Sequence, residues 1–269
     1  VIHLQIDLSG RTALISGSTA GIGFAIAAGM AGAGANVYVN GRRADRVDAA
    51  VAAIGAGGSG GGEVRGIVAD VGTSEGVETI VAAASDVDIL VHNAAHVAVA
   101  TFMDTSDEEW ERAFQVNVIR AAQLTRALLP SMLARGWGRV IFITSESAVV
   151  PPPELLAYGV SKTALQALAR GIAAGIPGSG VTVNSVLPGP TLSEGLAGML
   201  QPEIDAGRAS DLDEAAAAYI AENRSTSLLG RMTQPREVAN LVVYLASDQA
   251  SGTIGSPMRV DGGVVPTVF

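Results

Sequence analysis

The sequence predicts an α/β chain: a doubly wound parallel sheet of about seven strands with helices on both faces. Three observations predict it. Short apolar, strand-like runs alternate with helix-like runs along most of the 269 residues. Hydrophobic residues make up 48% of the chain and charged residues only 16%, so strands and helices alike must bury much of their surface. A glycine-rich turn, "SGSTAGIG", lies between the first strand and the first helix, where such a sheet binds ligands.

The elements follow in order. Thr12–Ser16 reads as a buried strand and Ile22–Gly34 as a helix of small residues. Asn36–Asn40 is the next strand, Arg43–Ile54 the next helix, and Gly55–Gly62 a flexible glycine loop. "VRGIVAD", "SEGVETIVAAA" and "VDILVHN" give strand, helix and strand. One long helix is expected from about Asp107 to Ala134, kinked near its end by Pro130. On it Trp110, Phe114, Asn117, Ala121, Leu124 and Leu128 recur at steps of three or four and share a face. "GRVIFITS" is a strand, Leu155–Ala174 a helix and "GVTVNSVL" a strand. Residues from about 191 to 233 break the rhythm and read as a small helical lid over the ligand site. Pro235 opens a further helix, and "PMRVDGG" is the last strand. No linker and no internal repeat appears, so residues 1–269 read as one domain.

Composition excludes several functions. The chain has no cysteine, which removes disulfides, thiolate catalysis and zinc–thiolate sites. His3, His92 and His96 form no recognisable metal motif, so no metal is expected. A net charge of −9 argues against nucleic acid or an anionic membrane as partner. No apolar run reaches the roughly 18–20 residues of a membrane span. The N-terminal residues lack a basic region followed by an apolar stretch, so no signal peptide is read and a cytoplasmic location is expected.

The motifs then suggest chemistry. In the glycine turn Gly17, Gly21 and Gly23 permit close approach of a pyrophosphate to the start of a helix. At the end of the second strand an NAD site would place a carboxylate, whereas Gly41, Arg42 and Arg43 stand there; two arginines at a helix start suggest the 2′-phosphate of NADP. Tyr158 and Lys162 lie four residues apart on one helix face. At about 5 Å their attraction is on the order of 3 kcal/mol, enough to bring the phenol toward working range as an acid–base group. Ser145, ending a strand, is placed to polarise a carbonyl, and Asn117 is an amide on an apolar helix face. Glu146 is expected to point away from the side of Ser145, as strand alternation requires.

Taken together, "SGSTAGIG", "ADV" (Ala69–Val71), "HNAA" (His92–Ala95), Asn117, Ser145, "YGVSK", "PGPT" (Pro188–Thr191) and "VDGG" resemble, in order, the motifs of the short-chain dehydrogenase/reductase family of about 250 residues. Within it the pattern is 3-oxoacyl reductase-like. The resemblance implies a Rossmann-type fold and NADP(H), with NAD(H) as the alternative. It implies Asn117, Ser145, Tyr158 and Lys162 as catalytic residues, Asn117 through a water-held proton relay to Lys162. It implies a cofactor site of Gly17, Ser18, Thr19, Gly21, Ile22, Gly23, Arg42, Arg43, Asp70, Val71, Asn93, Ala94, Ala95, Tyr158, Lys162, Pro188, Gly189 and Thr191. His92 and Ala95 depart from the family's N-N-A-G, so Ala95 must avoid a glycine-only conformation or be strained.

The expected activity is reversible reduction of a ketone or aldehyde to an alcohol, with Tyr158 as the acid. The alternatives are a 3-oxoacyl thioester reductase acting on an acyl carrier and a non-catalytic NADPH-binding regulator. Ala98–Met103, Val149–Leu156 and Leu192–Leu200 are expected to line the pocket, which suits a small hydrophobic substrate. A homo-oligomer, tetramer or dimer, is further implied by the resemblance.

Overall fold

The computed structural model describes residues 6–57 and 61–268. The readings made for the N-terminal residues 1–5, His3 included, and for residues 58–60 of the glycine loop lie outside the described residues.

Seven parallel strands form one sheet: β1 (Thr12–Ile15), β2 (Asn36–Gly41), β3 (Val64–Val68), β4 (Ile89–His92), β5 (Gly138–Ile143), β6 (Val181–Pro188) and β7 (Pro257–Val260). Their order is β3-β2-β1-β4-β5-β6-β7. The central strands are apolar runs without alternation because both faces are covered: every residue of β4, β5 and β6 is buried. The edge strand β7 alternates exposed and half-buried residues.

One face is covered by α1 (Gly21–Gly32), α2 (Ala44–Gly57) and α9 (Pro235–Ala246), whose Ile26, Met30, Ile54 and Val242 pack with Ile15, Val39, Val91 and Ile141 of the sheet. The small residues of α1 let α9 come close; a Cβ at Gly29 would lie 3.1 Å from Val243. The other face is covered by α3 (Ser74–Ala83), α5 (Arg120–Arg135) and α6 (Leu156–Ala174), with Ile80, Leu124, Leu128 and Leu165 against Leu90, Val140 and Phe142. Side-chain oxygens cap several helix starts: Thr73 accepts from the Gly76 N–H, and Ser106 from the Glu109 N–H. At its other end, α5 stops at Gly136 in the left-handed region, φ 67°.

The expected long helix from Asp107 is interrupted, though not at Pro130. α4 (Asp107–Phe114) passes into a single π-turn, Gln115–Ile119, before α5 runs on through Pro130 to Arg135. The wide turn places Asn117 inward, fully buried. The second helix also outlasts its expected end, continuing to Gly57.

The segment from 191 to 233 does form helices, α7 (Glu194–Asp205) and α8 (Leu212–Asn223), with a small core of Leu200, Ala215, Ala216, Ile220 and Met232. Its two ends are clipped together at a neck. Thr191 and Thr233 bridge, their hydroxyls 2.8 Å apart, and the Leu192 N–H donates to the Thr233 carbonyl. An ion pair between Arg46 of α2 and Glu194, 3.0 Å, ties it to the main body.

Candidate active site

Chain order reverses between β1 and β4: the strands proceed from β1 through β2 to β3, then resume on the other side of β1. A crevice opens there at the carboxyl ends of the strands. A cavity of about 1020 Å³ occupies it, lined by Gly17, Thr19, Asn40, Gly41, Arg42, the 69–73 loop, the 93–97 loop, one side of α4 and the start of the π-turn. A second cavity of about 590 Å³ adjoins it through Asn93, Ala95 and Val97, which line both, and holds Ser145, Tyr158, Lys162, Pro188, Gly189 and Thr191.

The glycine turn is built for close approach. Gly17 and Gly21 have φ of 62° and 55°. A Cβ on Gly17 would sit 2.9 Å from the Ala94 Cα, and one on Gly23 would collide with the Asn93 amide and the Gly17 carbonyl. α1 has no side-chain cap at Ala20 and no acidic residue in its first turn, so its first N–H groups and the positive end of its dipole are left for an anion. Behind the turn, Asn40 accepts from the Gly17 N–H (3.3 Å) and donates to the Ile67 and Ala69 carbonyls (3.1 Å each), joining three strand ends. Gly41 leaves no room for an acid, since a Cβ there would lie 2.5 Å from the Thr19 methyl. Arg42 is exposed on the rim of the larger cavity.

The expected cofactor residues therefore separate. Gly17, Thr19, Arg42, Asp70, Val71 and Asn93–Ala95 line the larger cavity, and Ile22, Pro188, Gly189 and Thr191 line the smaller. Four line neither space: Gly21 and Gly23, which shape the turn, and Ser18 and Arg43. Ser18 is buried and its hydroxyl donates to the Ile15 carbonyl (2.7 Å) while accepting from the Asn40 N–H, so it serves the turn. Arg43 is held by Asp45 through two hydrogen bonds (3.0 and 2.5 Å). Ala95 avoids the conformation that its replacement of glycine put in question: among the described residues no non-glycine residue has positive φ.

Tyr158 and Lys162 share the inner face of α6, one turn apart, with the Lys162 Nζ 5.5 Å from the centre of the phenol ring. Lys162 is buried and donates to the Ile143 carbonyl at 2.7 Å, the last of β5. Burial acts on the two groups in opposite senses. It pushes the Tyr158 phenol up to about 12, with the Glu146 charge adding to the rise and a Ser145 hydrogen bond opposing it. It brings the Lys162 ammonium down to about 7. The expected lowering of the phenol by the ammonium is thus corrected: burial sets the direction of the shift, which is upward, and the opposing influence is the Ser145 hydrogen bond. His92 beneath is neutral too, brought down to about 3 by burial and then by the Lys162 charge. It stacks on Phe142 and shares a 2.8 Å hydrogen bond with Thr125. Because Thr125 gives its own proton to the Ala121 carbonyl, His92 Nε2 is the donor.

Asn117 is fully engaged. Its Oδ1 accepts from the His96 N–H (2.8 Å), and its Nδ2 donates to the His96 carbonyl (3.0 Å) and the Ser161 hydroxyl (2.8 Å). It therefore joins the loop after β4 to α6, beside Lys162 in sequence, without a direct hydrogen bond to it.

The largest departure concerns Glu146. Strand alternation ends with β5 at Ile143, and Ser145 caps a short 3₁₀ turn, Glu146–Ala148, so both side chains turn to the same side. The Ser145 hydroxyl donates to Glu146 Oε2 at 2.5 Å, and the Ser147 N–H donates to the same oxygen at 2.8 Å. Glu146 Oε1 accepts from Arg224 Nε at 3.0 Å, in an ion pair whose side chains are 6% and 10% exposed. Arg224, just past α8, lies 78 residues from its partner, and no local signal announces the pair. Leu155 and Leu196 line the cavity as expected, but residues 98–103 do not, and Val99, Phe102 and Met103 are exposed.

Among the described residues, no group of three His, Asp or Glu side chains is placed to hold a metal, and no helix is long and apolar enough to cross a membrane.

Known proteins are similar to this chain along nearly its whole length. A family model described as enoyl-(acyl carrier protein) reductase matches residues 17–265. The uncharacterized oxidoreductase YvaG of Bacillus subtilis is 39% identical over 266 residues, covering 99% of this chain and 100% of the relative. A solved short chain dehydrogenase/reductase family protein, 36% identical, superposes with a TM-score of 0.84 over 97% of this chain and 100% of its own. The L-sorbose reductase of Gluconobacter frateurii, solved with NADPH and L-sorbose, is 31% identical with a TM-score of 0.90, over 98% of this chain and 100% of its own. A glycine turn feeding an uncapped helix, a Tyr–Lys pair lining one cavity with Ser145, and similarity along nearly the whole chain make this protein an oxidoreductase belonging to the short-chain dehydrogenase/reductase family.

Proposed function

We propose that the protein reduces the carbonyl group of a ketone or aldehyde with NADPH, reversibly, and that Tyr158 is the acid. The observation that carries this reading is the continuity of the two cavities: Arg42 and the glycine turn (Gly17, Thr19) line one, and Ile22 at the uncapped start of α1 lines the other with Ser145, Tyr158 and Lys162. The residues fit a dinucleotide. Gly17 presents backbone without a side chain to the larger cavity, the α1 N-terminus would take the pyrophosphate, and Arg42 would take the 2′-phosphate. The NADPH complex of the L-sorbose reductase, alike over nearly the whole chain, supports the same cofactor here.

When bound, NADPH supplies a hydride to the carbonyl carbon. The chain supplies the rest. Tyr158, neutral until well above pH 7, gives its proton to the oxygen as negative charge develops there. Lys162, brought down to about 7, stands behind the phenol as a proton-exchanging group near the working pH. Asn117 holds the 93–97 loop that lines both cavities. Around this site the chain is read as one catalytic domain assembled as a homo-oligomer in the cytoplasm; light scattering after gel filtration gives its mass.

The test is loss of NADPH absorbance against a panel of ketones, aldehydes and a 3-oxoacyl thioester, repeated with NADH. Tyr158→Phe is expected to lower turnover by roughly 10²- to 10⁴-fold while NADPH binding persists. Near-full activity of that variant overturns the assignment.

A further inference from the structure

A serine that polarises a carbonyl must offer it a proton, and here that proton is already committed. Ser145 has one hydroxyl hydrogen, and its short hydrogen bond is to Glu146 Oε2, in competition with Tyr158. The Ser145 oxygen in turn accepts from the Ser147 N–H at 3.1 Å. Glu146 cannot swing aside to release the serine, because Arg224 fixes its other oxygen and the Ser147 N–H and hydroxyl hold the first (2.8 and 3.2 Å). The carboxylate is a permanent part of the wall, next to the reacting centre and lining the same cavity.

Arg224 completes that wall. Its Nε serves Glu146 and its Nη1 donates to the Asn223 carbonyl at 2.7 Å. Nη2 makes no hydrogen bond to any described residue, although the side chain is nine-tenths buried and lines the cavity. The wall beside Ser145 therefore carries a strong acceptor, Glu146, next to a guanidinium with a donor to spare, on a side chain that also lines the neighbouring cavity of Val150–Glu154.

Few groups satisfy both. A substrate carboxylate would face Glu146, and an ammonium would face Arg224; each meets like charge in a site of low dielectric. An alkyl group would leave the donor without a partner. A hydroxyl both donates and accepts. Since Glu146 is bonded to Ser145 itself, that hydroxyl belongs on the carbon next to the carbonyl.

We propose that the Glu146–Arg224 pair selects α-hydroxy carbonyl compounds, and that the substrate hydroxyl takes the place of Ser145 as donor to Glu146, freeing Ser145 to donate to the carbonyl oxygen. The inference rests on the NADPH-dependent reductase reading. The balance is simple. Hydride from NADPH adds to the carbonyl carbon, Tyr158 gives the proton to its oxygen, and the α-hydroxyl is retained, so the products are a vicinal diol and NADP⁺, with Tyr158 reprotonated from solvent. Glu146 and Arg224 are specificity-determining residues, and the deoxy substrate is poor because it leaves Ser145 bound to Glu146.

The test uses three matched ketones on the full chain: hydroxyacetone, acetone and methoxyacetone, the last having the bulk of a substituent without its proton. The expected kcat/KM for hydroxyacetone exceeds both others by roughly 10- to 100-fold, the weight of one charge-assisted hydrogen bond. In Glu146→Gln and Arg224→Gln, checked for folding by thermal melt, that ratio falls toward one. A purely structural role would lower all three substrates together and leave the ratio intact, which would overturn the assignment. Equal kcat/KM for hydroxyacetone and acetone in the native protein overturns the selection while leaving the reductase reading standing. No NADPH consumption with any of the three overturns both.

Discussion

The Asn117 amide donates to the Ser161 hydroxyl at 2.8 Å, and Ser161 in turn donates to the Tyr158 carbonyl at 2.7 Å. One buried amide thereby connects the π-turn to the helix that carries the proposed acid, and through His96 to the loop shared by both cavities. Removing it leaves the His96 N–H and carbonyl in need of partners. Asn117→Ala is expected to cost about 1–3 kcal/mol in urea unfolding and to lower kcat. Asn117→Ala with unchanged stability would show the amide to be dispensable to the frame.

The two arginines after β2 differ in what they are free to do. Arg42 lines the cavity rim, whereas Arg43 is doubly bonded to Asp45. Arg42→Ala is expected to raise the KM for NADPH by roughly 10-fold or more and to leave the KM for NADH nearly unchanged, since only NADPH carries the 2′-phosphate. Arg43→Ala removes an exposed pair and is expected to shift either KM by less than about threefold. Steady-state kinetics with both cofactors separates the two.

His92 links stability to pH. Its imidazole is held at about 3 in the fold, below its ordinary value of 6.5. As the pH falls, the unfolded chain takes up this proton first, so the neutral ring's contribution is complete above about pH 6.5 and is lost progressively toward pH 3. His92→Asn lacks that loss. The stability gap between native protein and variant, read from urea unfolding, is therefore expected to change in the variant's favour between pH 7 and pH 4.5. A gap independent of pH would mean that His92 titrates normally.

Much of this was legible in the chain because it follows from repetition. Seven apolar runs separated by helical stretches specify a parallel sheet, and the break after Thr191 marked the helical lid. Tyr158, Lys162 and Ser145 were findable because strand ends and helix turns bring fixed spacings to one edge. What escaped was set where periodicity stops. The π-turn at Asn117 satisfies the same three-or-four spacing as a regular helix, so apolar positions alone do not reveal it. Glu146 was assigned by alternation two residues beyond the last strand residue. Ser18 and Arg43 fitted a motif but are engaged by near neighbours, and Arg224 meets Glu146 only through the folded lid. The rise of the Tyr158 phenol depends on total burial, which no local spacing reports.

The π-turn also makes the chain intolerant of a change in length there. A π-turn accommodates one residue more than a regular α-turn. Losing a residue between Gln115 and Ile119 would restore a regular helix and remove the wide turn that places Asn117 inward. Single-residue deletions in this segment are thus more damaging than most substitutions in it, and descendants of this chain can vary its letters far more freely than its count.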